Sequence, residues 1–376
     1  MTPAIHAAWS PGEIRVAVMA DGILIDHALW RPGSPDGLGD LHRGRVTAIV
    51  PAMAGAFVAL DGAEGFLPDS EGAKGLTAGT ILTVRVTRAP LGGKGPRLSA
   101  RAAGAMDGPM GLLRRGIDPL RALAARYPAA PLLVDDPALA ALLRADLGLR
   151  ITRVAHAFDD AIETAVDALT RPGILLDSGA RLSVHPTPAL VAIDVDGGGA
   201  LTGQDGAARR HRAVNMALLP ELARQIRLRD LSGAILVDFA GLKAAQRGVL
   251  GPGLAAALAG DPVGGRFLGF TALGLAEIAR PRLRAPLHEM LAGPLAAGLA
   301  ALRALALAIA AEPGQAVTLR AAPAVVAALQ GDGVALTELA RIAGRVLKPR
   351  SDPSLPADCW RIETVHGQNS PTLSHL

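Results

Sequence analysis

A mixed α/β fold with a small β-barrel near its N-terminus is predicted by three features of the sequence. Between Arg43 and Arg101, five short strand-like runs are separated by turns containing Gly, Pro and Asp. From Ala102 the apolar period lengthens to that of helices. Further on, apolar strands alternate with an amphipathic helix, the order that builds an α/β layer.

Residues 3–35 read as a small β unit: EIRVAVM alternates, Asp21-Gly22 is a hairpin turn, and ILIDHALW alternates again. A loop rich in Gly and Pro leads to the runs RVTAIV, GAFVALD, EGFLP, TILTVRVTR and RLSAR. In TILTVRVTR, Leu82, Val84 and Val86 share one face and Thr83, Arg85 and Thr87 the other, as in a barrel wall open to solvent on one side. Five short strands in so compact a stretch suggest an OB-type barrel. PLRALAARY and PALAALLRADLG then read as helices, the second starting at Asp135-Asp136-Pro137. FDDAIETAVDALTRPG is a further amphipathic helix, ended by Pro172-Gly173. ARLSVH and ALVAIDVD read as strands, followed by a Gly-rich loop at Gly197 to Gly199. PELARQIRLRDLSG reads as a helix with Pro220 near its start and Gly233 beyond its end, and AILVDFAG as the next buried strand. This order implies a mostly parallel layer. From Pro294 the tail alternates helices with VTLRAAP and CWRIETV, suggesting a small separate α/β domain.

With 376 residues and 50% apolar composition, the chain can bury more than one core. Its net charge is only +4, but lysine occurs at just four positions, Lys74, Lys94, Lys243 and Lys348, so the cations are overwhelmingly arginine. Arginine forks onto phosphate and stacks on bases, which suits nucleic acid; a coding bias toward Ala, Gly and Arg would leave the same trace. Cys359 is the single cysteine, which excludes an internal disulfide and a multi-cysteine zinc site within one chain. MTPAIHAAWSPGE lacks the basic start and apolar core of a secretory signal, so a cytoplasmic setting is expected. Pro294 to Ala311 is rich in Ala and Leu, but Arg303 at its centre favours an amphipathic or buried helix over a membrane span, and no membrane partner is expected.

The chemistry concentrates at two strand ends. LVAIDVD and AILVDFAG each run into an acid, and the C-terminal ends of neighbouring strands are where such sheets place ligands. Asp194 and Asp238 are therefore candidate metal ligands, and Asp196, two residues beyond Asp194, projects to the same face. Magnesium uses one or two protein carboxylates and keeps its other positions for water and substrate phosphate. Strand-end aspartates also simply cap helices or end strands, and spacing alone does not separate these readings. Arg224 and Arg227, neighbours on one helix face, are positioned to hold phosphate or to form a solvated face. In the barrel, Phe57 and Phe66 are two of only six phenylalanines, and Lys94 sits in the loop LGGKGPRLS. OB-folds stack bases on exposed aromatics while cations track the backbone, although packing in the barrel core is the alternative for both rings.

GRVTAIVPAMAGAFVALDGAEGFLP resembles the opening of the S1 domain of the ribonuclease E/G family. LVAIDVDGG, LARQIRLRDLSGAILVDF and FTALGLAEIARPRL resemble that family's catalytic stretches. The resemblance covers residues 36–101 and 155–290 most strongly. It implies an RNase H-like unit (residues 1–35 and 131–175) interrupted by an S1 insert (36–103) and a shortened 5′-sensor-like segment (104–130). A DNase I-like catalytic unit (176–290) and a small C-terminal domain (291–376) would follow. It also places Asp194 and Asp238 on the family's magnesium-binding aspartates, with Mn2+ able to substitute, and Phe57, Phe66 and Lys94 on its RNA-contacting positions.

Three departures stand out. Asp196 replaces the family's asparagine, adding charge that could tighten metal binding or hold one carboxyl protonated. No cysteine lies near LHEMLAGPLAAG, so a homo-oligomer, if formed, is not expected to be zinc-linked. In MGLLRRG, Arg115 falls on the sensor's arginine, but Gly116 stands where the family has threonine. The resemblance implies an endoribonuclease for single-stranded RNA. Its rivals are a non-catalytic RNA-binding or ribosome-associated protein on the same scaffold and, disfavoured by the S1-like segment, a deoxyribonuclease.

Overall fold

The computed structural model describes residues 2–104, 106, 108–176, 178–198, 207–312, 316–364 and 373–374. Gly199 of the expected Gly-rich loop lies outside them. Strands β1 (Ala4–Ser10), β2 (Glu13–Ala20) and β3 (Ile23–Trp30) form an antiparallel meander. Its second turn places both Asp21 and Gly22 at positive φ, 50° and 77°, the hairpin geometry whose twist matches the flanking strands.

The barrel follows as expected. Strands β4 (Leu41–Val50), β5 (Gly55–Ala59), β6 (Glu64–Pro68), β7 (Ile81–Arg88) and β8 (Arg97–Ser99) close in the order β4-β5-β6-β8-β7-β4. This closed five-stranded barrel is consistent with an S1/OB-fold. Val46, Ala56, Val58, Leu67, Val84, Val86 and Leu98 fill its interior, with Leu82 packed against them. The alternation read in TILTVRVTR is thus the one that faces the core.

The segment beyond the barrel holds a strand that the sequence did not announce. β9 (Gly111–Arg114) pairs antiparallel with β4 as a sixth strand. The chain then turns under Asp40, which is 3% exposed and accepts from Arg115 Nη1 and Gly116 N, both at 2.7 Å. A Cβ on Gly116 would meet Leu38 O at 2.1 Å, so the glycine is demanded by close backbone approach.

Helix α1 (Pro119–Arg126), strand β10 (Leu132–Val134), helix α2 (Pro137–Leu147) and strand β11 (Ile151–Arg153) return to the first sheet. Its order is β11-β10-β1-β2-β3, with β10 parallel to β1 and β11 parallel to β10. Three-residue strands leave too little alternation to read from sequence. Asp118 and Asp136 cap the two helices, accepting from Arg121 N and Leu139 N at 2.8 Å. Helix α3 (Asp160–Asp167) follows with Asp159 as its cap.

The second sheet comprises β12 (Gly173–Leu175), β13 (Arg181–Pro186), β14 (Val191–Asp196), β15 (Gly233–Asp238), β16 (Arg266–Phe270) and β17 (Ala276–Arg280), in the order β12-β13-β14-β15-β17-β16. The expected mostly parallel layer is corrected here: only β14 and β15 run parallel, joined by a long crossover that returns the chain in the same direction. That crossover, α4 (Ala207–Leu228), also corrects the helix boundary, since Pro220 lies inside it. The proline sits on the exposed face, while Leu218, Leu219, Leu222 and Ile226 pack onto the sheet. Helices α5 (Ala244–Arg247) and α6 (Gly251–Leu258) connect β15 to the β16–β17 hairpin.

After α7 (Leu287–Met290), α8 (Gly293–Ala311) is the one described helix long and apolar enough to cross a membrane. In this fold its Leu299, Leu302 and Leu305 join Val325, Leu329, Leu339 and Trp360 in the core of the last unit. That unit contains β18 (Val317–Ala321), α9 (Pro323–Gly331), α10 (Ala335–Ala343), β19 (Arg350–Ser351), β20 (Cys359–Thr364) and β21 (Leu373–Ser374).

The RLRDLSG turn after α4 is locked by Arg280 of β17. Arg280, 3% exposed, donates to Asp261 at 2.7 and 3.1 Å, to Leu231 O at 3.0 Å, and to Asp230. For Asp261, burial acts to raise the pKa, but the Arg280 guanidinium, together with the backbone N–H groups of Gly265 and Val263, outweighs it and holds the carboxyl below its usual range. A depressed folded-state pKa contributes stability above the unfolded value, near 3.9, that is lost as pH falls through the folded one. Arg280→Met should cost about 3–5 kcal/mol at neutral pH by stranding a buried carboxylate, and should flatten the acid limb of stability. Urea unfolding from pH 7 down to pH 3 measures both; an unchanged acid limb would show that this pair does not set it.

Candidate functional site

The parallel pairing of β14 with β15 sets Asp194 directly beside Asp238 as register partners. Alternation along β14 buries Val191, Ile193 and Val195 and leaves Asp194 and Asp196 exposed on one face, as the spacing predicts. Asp196 Oδ1 accepts from Gly198 N at 3.0 Å. Asp238 ends β15 with its side chain 54% exposed, so the two strand ends present a solvent-open pair of hard oxygen donors. Among the described residues no group of three His, Cys, Asp or Glu side chains forms a metal cluster. The aspartate pair nevertheless suits magnesium, which asks the protein for one or two carboxylates.

A residue that the sequence reading passed over completes the pair. Arg247, on α5, donates through Nη1 to Asp238 Oδ1 at 2.7 Å and to Gly274 O at 2.8 Å, and through Nε to Leu242 O at 2.8 Å. Its side chain is 12% exposed, so this is a preorganised cation rather than a surface arm. The turn that follows Asp238 is fitted to a second unforeseen residue. Gly241, at φ +63°, packs so closely on the His211 ring that a Cβ would lie 2.0 Å from it. Asn215 on the same helix anchors that turn, donating to Ala240 O at 2.9 Å. Arg247 and His211 carry no motif, since the fold alone brings them to the strand end.

Arg224 and Arg227 are placed away from the carboxylates. A crossover helix runs antiparallel to the strands it joins, so its C-terminal end lies at the opposite end of the sheet. Arg224 pairs with Glu221 at 2.7 Å and donates to Leu24 O, while Arg227 donates to Ile25 O at 2.8 Å. Both guanidiniums therefore tie α4 to β3 of the first sheet. Arg115 is likewise engaged, through Asp40, although its side chain remains 60% exposed.

On the barrel, Phe57 and Phe66 are cross-strand partners whose rings meet edge to face with centroids 5.6 Å apart. Both are half-buried and belong to the face opposite the interior residues Ala56, Val58 and Leu67. Phe66 lies over Gly55, where a Cβ would approach its Cζ to 2.5 Å. Arg97 is the bridge partner of Phe66, which adds a cation to the aromatic pair. Lys94 is exposed in a loop closed by reciprocal bonds with Leu91, beside a small cleft it shares with Arg88 and Arg282.

Residues 150–283, which carry both strand ends, match the model of the ribonuclease E/G family. Ribonuclease G of Escherichia coli (strain K12) is 32% identical over 132 residues, covering 35% of this chain and 27% of that protein. Ribonuclease G of Haemophilus influenzae is 31% identical over 137 residues, again 27% of its length. A chloroplastic ribonuclease E/G-like protein of Arabidopsis thaliana is 39% identical over 79 residues, 21% of this chain and 8% of that protein. The matched portion thus spans about a quarter or less of these relatives' lengths. Over residues 150–283, which include both strand ends, the chain is similar to the ribonuclease E/G family.

The outward setting of the two rings has a measurable consequence. Phe57→Ala and Phe66→Ala should each cost about 1 kcal/mol or so, well short of the 3–5 kcal/mol of a core phenylalanine. Thermal unfolding decides, and a core-sized loss would mean that the rings are structural.

Proposed function

We propose that this chain is an endoribonuclease that hydrolyses phosphodiester bonds in single-stranded RNA with the help of magnesium, for which manganese can substitute. The observation that carries the reading is the register pairing of Asp194 with Asp238 at adjacent parallel strand ends, inside the segment matched to the ribonuclease E/G family. Asp194 and Asp238 would hold the ion, which supplies a polarised phosphodiester and an activated water when bound. Asp196, on the same face, adds negative charge that draws a divalent cation. Arg247 would hold the scissile phosphate or its leaving oxygen beside Asp238. Phe57 and Phe66 would stack on bases while Arg97, Lys94 and Arg88 follow the backbone, which keeps the strand extended.

The order of the first sheet, three antiparallel strands followed by two parallel ones, supports an RNase H-like reading of the flanking unit. The second sheet would be the DNase I-like catalytic unit, followed by the small C-terminal domain. Arg115, already spent on buried Asp40, leaves little to recognise a 5′-phosphate. Cytoplasmic RNA processing or decay is the setting we propose, with any homo-oligomer formed without zinc.

One observation favours a second reading, a catalytically degenerate RNA-binding protein on this scaffold: Arg247 already neutralises Asp238. End-labelled single-stranded RNA, incubated with the protein in magnesium or in EDTA, separates the two. Cleavage in magnesium alone is expected. Asp194→Asn and Asp238→Asn should each lower its rate about a hundredfold or more with RNA affinity nearly intact, while Asp196→Asn is tolerated. Wild-type cleavage by either of the first two variants would remove the metal assignment.

The barrel prediction is separate. Phe57→Ala and Phe66→Ala should each weaken RNA binding by about 1–3 kcal/mol, and Lys94→Ala should reduce the salt slope by about one phosphate contact. Affinities measured by fluorescence anisotropy across a salt series test this; unchanged affinity in both phenylalanine variants would exclude the stacking role.

A further inference from the structure

Arg229 is a buried cation with no carboxylate among the described residues in hydrogen-bonding reach. It is 6% exposed, and its guanidinium donates to Gln225 Oε1 at 3.0 Å and Ala168 O at 3.3 Å, both neutral acceptors. Glu221 acts on it only at longer range and is already occupied by Arg224 and Gln225. Burial pushes the Arg229 pKa down to about 10, the direction expected of a cation whose lost hydration is not repaid. The group still carries its charge at neutral pH, and buried charges are ordinarily paired. The adjoining Asp230 shows the ordinary pattern, being paired with Arg280.

The guanidinium opens onto a cavity of about 580 Å3, within the range of small-molecule sites. The first sheet contributes His27 and Leu29 to it, the second Val184, with Leu231 from the turn before β15, and the α7–α8 region Leu287 and Leu291. Arg303 also faces this space; it shares Glu13 with Arg31, so two guanidiniums divide one carboxylate. Arg15 is closed by a two-point pair with Glu163. Three further atoms on the lining, Arg15 Nε, His27 Nε2 and Asp358 Oδ1, are buried without a hydrogen-bond partner among the described residues. Burial holds the His27 pKa down at about 4, so its ring is neutral, and Asp358 needs a donor. The remaining acid on the lining, Asp167, is exposed.

We propose that this cavity binds a small phosphorylated molecule of nucleoside monophosphate size, its phosphate on Arg229 and its hydroxyl or amino donors toward Asp358. Arg229 follows the C-terminal end of α4, so the site lies at the end of the sheet opposite Asp194 and Asp238. A ligand there touches the first sheet, the second sheet and the α7–α8 link together, and therefore stabilises their packing.

Thermal unfolding of the full chain, without magnesium or RNA, tests the proposal with inorganic phosphate, AMP and adenosine as probes. AMP should raise the Tm by several degrees at about 100 times its Kd, and adenosine should not. A shift with inorganic phosphate as large as that with AMP would identify the free anion as the ligand. Arg229→Met removes an unpaired buried charge, so it should fold at least as well as the parent and lose the response to AMP. Should that variant fail to fold, Arg229→Lys keeps the charge without the fork and should weaken apparent AMP affinity at least about fivefold. The Phe57→Ala/Phe66→Ala double variant should respond like the parent, which separates the cavity from the barrel surface. No shift with any probe at 10 mM or so, a response retained in Arg229→Met, or a response lost with the phenylalanines would overturn the proposal.

Discussion

The parallel pairing of β14 with β15 is the constraint on which the rest of the chain depends. Parallel neighbours cannot be joined by a tight turn, so a long crossover must span the sheet, and α4 is that crossover. Having crossed, the helix can bury Leu218, Leu222 and Ile226 against the sheet and spend its last turns on contacts with β3. One topological requirement thus places two carboxylates side by side at one end of the second sheet and fastens that sheet to the first at the other.

That division explains the dense run RQIRLRDLSG. Arg224 and Arg227 bind backbone carbonyls of β3, Arg229 faces the interior cavity, and Asp230 closes on Arg280. Gly233, at φ +84°, lets the chain enter β15 in the required direction. The motif is therefore largely an assembly device, in which Arg224 and Arg227 serve architecture at a distance from the proposed cleavage chemistry. Arg247, from an unremarkable stretch of sequence, is the cation that meets Asp238.

Much of this was legible from the chain alone. Strand alternation exposed the barrel walls, and the aspartates before Pro137 marked a helix start. The rule that ligands gather at strand ends singled out Asp194 and Asp238. Other features were hidden for physical reasons. β10 and β11 are three residues each and show no period. Pro220 reads as a helix start because it usually is one, and only its exposed setting lets α4 continue through it. Three antiparallel pairs of the second sheet follow from short connections, whereas β17 reaches β15 only after the long excursion through α5, α6 and β16, a return direction that sequence does not announce. Gly116 reads as a lost hydroxyl, whereas its backbone contact with Leu38 makes it a steric necessity.

The central claim is that Asp194 and Asp238 act as one centre because the β14–β15 register makes them neighbours. A double-mutant cycle on magnesium affinity, followed by calorimetric titration of the parent, Asp194→Asn, Asp238→Asn and the double variant, tests it most directly. If the two carboxylates share an ion, each single variant should lose most of the binding and the double variant little more. Additive losses, or magnesium affinity unchanged in either single variant, would contradict a shared centre.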